Sequence, residues 1–267
     1  MGPATPYKTI TSAANPAIKK LCSLALKKYR EQDGLFLVEG VEHVHAALQK
    51  GWEPATVVFS ASLLNDQQTQ KILTACAAAG GQCLNVAADI LSRITKRDNA
   101  QPLIAALRQR EGTLGAVQDG LWVGLEEIRD PGNLGTIIRS SRAVGARGII
   151  LIGETCDPWS PEAIRASTGS FAWIALVRAA PDEFLNWRKM WKGQLIGTHL
   201  RAPTDYRRIK YESPLMLLMG GEQTGLSPAL SEICDALVKI PMCEGTESLN
   251  LAVSTGILLY EACRERL

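Results

Sequence analysis

Apolar and polar residues follow one another along this chain in short blocks, and the blocks alternate between two periods. Leu35-Phe-Leu-Val38, Thr56 to Ser60, Cys83 to Val86 and Leu103 to Leu107 are apolar runs of strand length between polar or glycine-containing turns. Between them, helical spacing puts Ile18, Leu21 and Ala25 on one stripe behind Asn15-Pro16, a capping residue followed by proline at the first helical position. Val41, Val44 and Leu48 form a second stripe that ends near Gly51, and a further helix is expected through Lys71 to Ala79, stopped by Gly80-Gly81. This alternation predicts a compact α/β unit.

The glycine-rich stretch Gly112 to Gly120 predicts a linker at 111–118, separating a domain of residues 1–110 from one of residues 119–267. Beyond it, strands are expected at Leu121 to Leu125, Gly148 to Ile152, Trp173 to Val177, Gln194 to Thr198, Leu215 to Met219 and Ala236 to Ile240. Helices are expected over about Asn133 to Val144, Trp159 to Ala166 and Asp182 to Trp191, with a last one carrying Leu249, Val253, Ile257 and Tyr260 inward. The architecture this predicts is an α/β sheet, mainly parallel. Two of its strands end in polar turns, Gly220-Gly-Glu-Gln-Thr-Gly225 and the loop containing Gly245, so a ligand crevice is expected at their carboxyl edge. Ser248 and Asn250 fall at the start of the last helix, where such residues cap free N–H groups.

With 267 residues, 46% of them hydrophobic, the chain has enough apolar surface for two cores. No apolar run is long enough to span a bilayer, and the N-terminus lacks the basic-then-apolar plan of a secretory signal. The seven cysteines include no C-x-x-C pair, which fits free thiols in a reducing compartment, so a cytoplasmic protein with no membrane contact is expected. His43 and His45 point apart on a helix and His199 stands alone, so no metal site is expected. Net charge is +2 but unevenly shared: residues 1–110 hold 13 Lys and Arg against 8 Asp and Glu, and residues 111–267 hold 16 against 19. The first domain is therefore the expected polyanion contact, through Lys19, Lys20, Lys27 and Lys28 on an outer helix face, followed by Arg30, and through a polar loop Arg93-Ile-Thr-Lys96-Arg97-Asp-Asn99. Neither G-x-G-x-x-G, a P-loop nor G-x-S-x-G is present, so the crevice must hold its ligand in another way.

Three segments together resemble the motifs of the SpoU (TrmH-type) family of RNA ribose methyltransferases, in the knotted SPOUT superfamily. They are Asp130-Pro-Gly-Asn133-Leu-Gly135-Thr-Ile-Ile-Arg139-Ser, Leu218-Met-Gly220-Gly-Glu222-Gln-Thr-Gly225-Leu, and Ile240-Pro-Met242 through Glu247-Ser248-Leu249-Asn250. The resemblance covers residues 119–267, while Lys27-Lys-Tyr-Arg30 and Leu35-Phe-Leu-Val-Glu39-Gly40 are similar to the substrate-binding domain that often precedes the catalytic one. It implies S-adenosylmethionine held in a trefoil knot, with Gly220, Ile240 and Leu249 at the cofactor positions and Met242 and Thr198 beside them. It also implies a catalytic set of Asn133, Arg139, Glu222, Ser248 and Asn250, in which Arg139 matches the arginine assigned to activation of the ribose hydroxyl, with bidentate anchoring of a substrate phosphate as the other role open to it. The implied reaction is methylation of a ribose 2′-oxygen in structured RNA, ribosomal RNA ahead of transfer RNA, by a homodimer paired through its C-terminal domain. Leu251, Leu258 and Leu259 add apolar surface to the last helix for such a partner. A non-catalytic RNA-binding or ribosome-assembly factor on the same fold is the competing reading, against which the intact Asn133, Arg139, Glu222 and Asn250 set argues.

Overall fold

Asn15 caps the first helix as its place before Pro16 dictates, accepting the Ala17 N–H at 2.9 Å. The same device recurs wherever Asp or Ser precedes a proline that opens a helix. Asp130 accepts the Asn133 N–H, Ser160 the Ala163 N–H and Ser227 the Leu230 N–H, each with proline next in sequence. The computed structural model describes residues 7–222 and 224–267. In chain order the first part forms β1 (Lys8–Ile10), α1 (Pro16–Ser23), α2 (Lys27–Asp33), β2 (Leu35–Glu39), α3 (Val41–Gln49), β3 (Pro54–Phe59), α4 (Gln67–Ala78), β4 (Gln82–Val86), α5 (Ala88–Thr95) and β5 (Leu103–Arg108). The second part forms β6 (Leu121–Glu126), α6 (Pro131–Ala143), β7 (Gly148–Ile152), α7 (Pro161–Ala166), β8 (Ala175–Ala179), α8 (Pro181–Arg188), β9 (Gln194–Thr198), β10 (Thr204–Asp205), β11 (Leu215–Met219), α9 (Pro228–Glu232), β12 (Ala236–Lys239) and α10 (Leu251–Ala262). Among the described residues no helix is long and apolar enough to cross a membrane.

Two compact units result, one of residues up to Gln109 with Asp157–Ala172, the other of Arg110–Cys156 with Trp173–Leu267. The first unit has a mixed sheet in the order β1-β4-β3-β5-β2, in which β5 runs antiparallel to both neighbours. Ile18, Leu21, Val58, Leu84, Ile90 and Ile104 meet in its core. Two basic expectations are corrected here. Arg93 lies on α5, which continues to Thr95 because Ile90, Leu91 and Ile94 are buried along it; only Lys96 onward is loop. Arg30 is no surface cation: it is 3% exposed, its Nε donates to Asp157 Oδ2 at 2.8 Å and its Nη1 to the Leu24 carbonyl at 2.7 Å.

That pair holds Asp157–Ala172 to the first unit, although its sequence falls inside the 119–267 stretch. Breaking a buried ion pair leaves the remaining charge desolvated, so Arg30→Ala should lower the unfolding free energy of this unit by about 3–5 kcal/mol. The measurement is a denaturant titration read by the near-UV signal of Trp52 and Trp159, which pack with Phe36 and Phe171 in the same unit. A loss under about 1 kcal/mol would show that the pair behaves as a surface bridge.

The second unit is a parallel sheet of seven strands, in the order β10-β12-β9-β11-β6-β7-β8. Every residue of β6, β7 and β11 is buried, as expected of parallel strands covered on both faces. The two-residue β10 has too little pattern to be read from sequence. The chain leaves β6 towards β7 and β8, returns to β9, and then inserts β11 between β9 and β6 before β12 forms beyond β9. The chain therefore departs from β6 and β11 in opposite directions, which makes a switch point at their carboxyl ends. The stretch expected as linker is docked on this unit: Gly112 donates its N–H to the Leu176 carbonyl at 2.8 Å, and Arg178 pairs with Glu111 at 2.9 Å.

The last helix faces the other way from its expectation. Leu251, Ala252, Thr255, Leu258, Leu259 and Ala262 are buried, whereas Leu249, Val253 and Tyr260 are 37%, 53% and 54% exposed. Because α10 is apolar almost all round, spacing could not choose its face. Its packing on α6 does: Gly256 faces Ser140, and the Cys263 thiol lies 3.9 Å from the Val144 carbonyl.

Candidate active site

With both ends matched, α6 and α10 lie side by side and start at the same edge of the sheet. Asp130 caps α6, its Oδ1 accepting the Asn133 N–H at 2.6 Å. Asn250 caps α10, its Oδ1 accepting the N–H groups of Ala252 at 2.9 Å and Val253 at 3.2 Å. The Asn250 amide nitrogen then donates to Asn133 Oδ1 at 2.9 Å, and the Asn133 amide nitrogen donates to Glu222 Oε1 at 3.0 Å. Glu222 Oε2 accepts the Arg129 N–H at 3.3 Å. One residue from each of the three sequence segments is thereby joined in a single hydrogen-bonded line. Its carboxylate end lies beside the first turn of α6, where the helix dipole favours negative charge.

Arg139 stands on α6, two residues short of Ser141 and six beyond Asn133; it is exposed and forms no ion pair or hydrogen bond among the described residues. Ser248 is exposed and is not a cap; Asn250 alone fills that role, so the two expected caps reduce to one. Thr198 ends β9 between β11 and β12, its hydroxyl 3.4 Å from the Leu218 carbonyl. Ile240 and Met242, just past β12, are half-buried.

Gly220 has a steric reason within the chain for being glycine. A Cβ there would stand 2.0 Å from Gly225 C and Leu226 N, because the loop after β11 folds back onto its own start. Glu126, 9% exposed at the end of β6, ties this loop down by accepting the Ser227 N–H at 2.8 Å. Sequence reasoning missed both Glu126 and Asp130. Asp130-Pro131 carried the signal already used for Asn15-Pro16; Glu126, an acid closing an apolar run, carried none.

Residues 241–249 join β12 to α10 with one internal backbone hydrogen bond among the described residues, Thr246 N–H to the Cys243 carbonyl at 3.2 Å. Their remaining amides and carbonyls, with the part-exposed apolar side chains of Ile240, Met242 and Leu249 in the same stretch, are the kinds of group that could hold an adenosyl moiety. The residues present fit S-adenosylmethionine.

Residues 120–260 match the model of the SpoU rRNA Methylase family. The chain belongs to that family. As a member of it, the protein is an S-adenosylmethionine-dependent rRNA 2′-O-methyltransferase. Residues 15–105 match the MRM3-like substrate binding domain. The 23S rRNA (uridine(2479)-2'-O)-methyltransferase of Streptomyces viridochromogenes is 31% identical over 254 residues, covering 91% of this chain and 88% of its own length. The 23S rRNA (guanosine(2553)-2'-O)-methyltransferase RlmP of Bacillus subtilis is 30% identical over 253 residues, 95% of this chain and 98% of its own. The crystal structure of an AdoMet-bound rRNA methyltransferase from Sinorhizobium meliloti is 42% identical, with a TM-score of 0.92 over 98% of this chain and 99% of that one.

Proposed function

We propose that this SpoU methylase acts on a nucleotide of large-subunit ribosomal RNA in the cytoplasm, with Arg139 on the RNA side of the site and the Asn133, Glu222 and Asn250 line as its frame. The observation that carries this is the line itself, which joins the three motifs while Arg139 has no partner among the described residues. Two relatives named for 23S rRNA, and seven cysteines that are all free thiols, support the substrate and the compartment. When bound, S-adenosylmethionine supplies an electrophilic methyl group. The ribose hydroxyl loses its proton to water as its oxygen takes that methyl, because a guanidinium holds its own proton far above neutral pH and is a poor acceptor. Arg139 instead grips a phosphate beside the target ribose and stabilises the negative charge that grows on the oxygen. Asn133, Glu222 and Asn250 hold the two helix starts in register so that Arg139 and the 241–249 loop face one nucleotide. Ser248, exposed beside them, is available to the RNA.

Lys19, Lys20, Lys27, Lys28, Lys96 and Arg97 are all exposed; the pairs of Lys20 with Asp33 at 3.2 Å and Lys27 with Glu31 at 3.6 Å are at the surface and readily exchanged, whereas Arg97 lies 3.7 Å from the largely buried Glu39. Replacing all six by glutamine should weaken binding to large-subunit rRNA and flatten its dependence on salt, by roughly 0.7–0.9 in the log–log slope for each phosphate no longer neutralised. Methyl transfer from labelled S-adenosylmethionine should favour that RNA over small-subunit rRNA and tRNA. An unchanged salt slope would make the six a merely solvated surface, and equal labelling of tRNA would remove the substrate assignment.

The exposed Val253 and Tyr260 on α10 support a homodimer paired through the second unit. Light scattering at micromolar concentration should give twice the chain mass, and Val253→Asp should return the monomer. A wild-type monomer active on rRNA would rule the dimer out.

A further inference from the structure

We infer that the first unit carries a pocket for one unstacked guanine of an RNA strand, built around the Glu39 carboxylate. This rests on the reading that the chain binds RNA. The pocket is a cavity of about 620 Å³, within the range that holds a nucleotide-sized ligand. Glu39 closes β2, its side chain is only 11% exposed, and its Oε2 is buried without a hydrogen-bond partner. Arg97 Nη1 lies 3.7 Å from Oε2 and Arg165 Nη1 3.6 Å from Oε1. Both arginines neutralise the carboxylate, yet both are beyond N–H···O bonding distance. A buried carboxylate oxygen left without a donor is costly, so a ligand that moves the half-exposed Arg97 aside reaches an acceptor it can satisfy.

The rest of the wall narrows the choice of ligand. Pro102 and Pro161, both accessible, offer apolar surfaces suited to the faces of a flat ring, over the buried Ile94, Ile164 and Phe171. A carboxylate needs adjacent N–H donors on the edge of that ring. Among the four RNA bases only guanine places a ring N–H beside an amino group; adenine and cytosine put an acceptor next to theirs, and uracil sets its N–H between two carbonyls. Arg97 and Arg165 are 48% and 35% exposed; the outward N–H groups of Arg97 can take a flanking phosphate, and those of Arg165 can do so in exchange for its surface pair with Glu162 at 3.5 Å. At the mouth, Gly40 turns β2 into α3 at φ +96° with no side-chain cap, and His43 packs against Gly169, where a Cβ would stand 2.8 Å from its ring. No single stretch of sequence shows this pocket. Pro161, Ile164, Arg165 and Phe171 come from Asp157–Ala172, more than a hundred residues after Glu39.

The test uses the full chain and hexanucleotides of uridine carrying one guanine, inosine, adenine or cytosine, with affinities measured by fluorescence anisotropy. The guanine strand should bind about tenfold tighter than the inosine strand, which lacks only the amino group. Glu39→Gln should abolish that preference, while Arg97→Ala and Arg165→Ala should weaken all four strands alike. The inosine comparison leaves the protein untouched, so it decides the matter even if a variant misfolds. Equal affinity for guanine and inosine, or a preference that survives Glu39→Gln, overturns the pocket. Guanosine monophosphate competing as well as the guanine strand overturns its assignment to RNA. S-adenosylmethionine binding and rRNA methylation are followed in parallel: if both persist without any guanine preference, only this inference falls, and if no RNA is bound or methylated, the proposed function falls with it.

Discussion

Arg139→Ala is expected to lower methyl transfer by about a hundredfold or more while leaving S-adenosylmethionine affinity within a few-fold. The side chain is exposed and unpaired, so its removal opens no cavity and strands no partner inside the protein. In the proposed mechanism what disappears is a positive charge with two parallel N–H donors near the reacting oxygen, and loss of one such preorganised donor commonly costs two to three powers of ten in rate. Lysine at this position restores the charge but not the planar fork, so Arg139→Lys should recover only a small part of the activity. Single-turnover rates at saturating cofactor make the comparison, with cofactor affinity measured separately by calorimetry. Near-full activity in the lysine variant would mean that charge alone suffices and that bidentate phosphate anchoring is wrong.

Gly220→Ala should have an effect of similar size by a different route. The added methyl would meet backbone atoms of Gly225 and Leu226 at 2.0 Å, and backbone cannot turn aside as a flexible side chain does. The loop after β11 would have to be rebuilt, moving Glu222 away from Asn133 and Ser227 away from Glu126. Strain of about 3 kcal/mol or more is expected, together with loss of both cofactor binding and methyl transfer. Gly225→Ala is the contrast: it meets nothing within 4 Å but carries φ +68°, so its cost is only that of the backbone conformation. A Gly220→Ala protein that binds cofactor normally would show that the fold-back is not needed for the site.

How far the sequence went differs from residue to residue. Strands β7, β9 and β11 were legible to the residue, because strands covered on both faces are continuous apolar runs bounded by turns. The motif segments led to Asn133, Glu222 and Asn250, and these three do meet, but neither spacing nor charge tells that their side chains bond to one another. Periodicity failed on α10, where the exposed Val253 and Tyr260 stand at helical spacing just as the buried set does, and Leu249, expected on the same stripe, precedes the helix. Charge failed on Arg30, which looks like its lysine neighbours until Asp157, 127 residues later, is brought beside it. The role of Gly220 was equally hidden, since the atoms that forbid a side chain belong to the turn that follows it. In each of these cases the deciding partner is distant along the chain or is backbone, and neither leaves a periodic trace.

The most direct test of the central claim is to locate the methyl group. Large-subunit rRNA from cells lacking the protein, incubated with the purified chain and S-adenosylmethionine, would be digested and read by mass spectrometry for ribose methylation. The account predicts one new 2′-O-methyl nucleotide, absent when Arg139→Ala protein of equal cofactor affinity is used. A methyl group found on a base, or an unmodified RNA after incubation with folded, cofactor-binding protein, would contradict it.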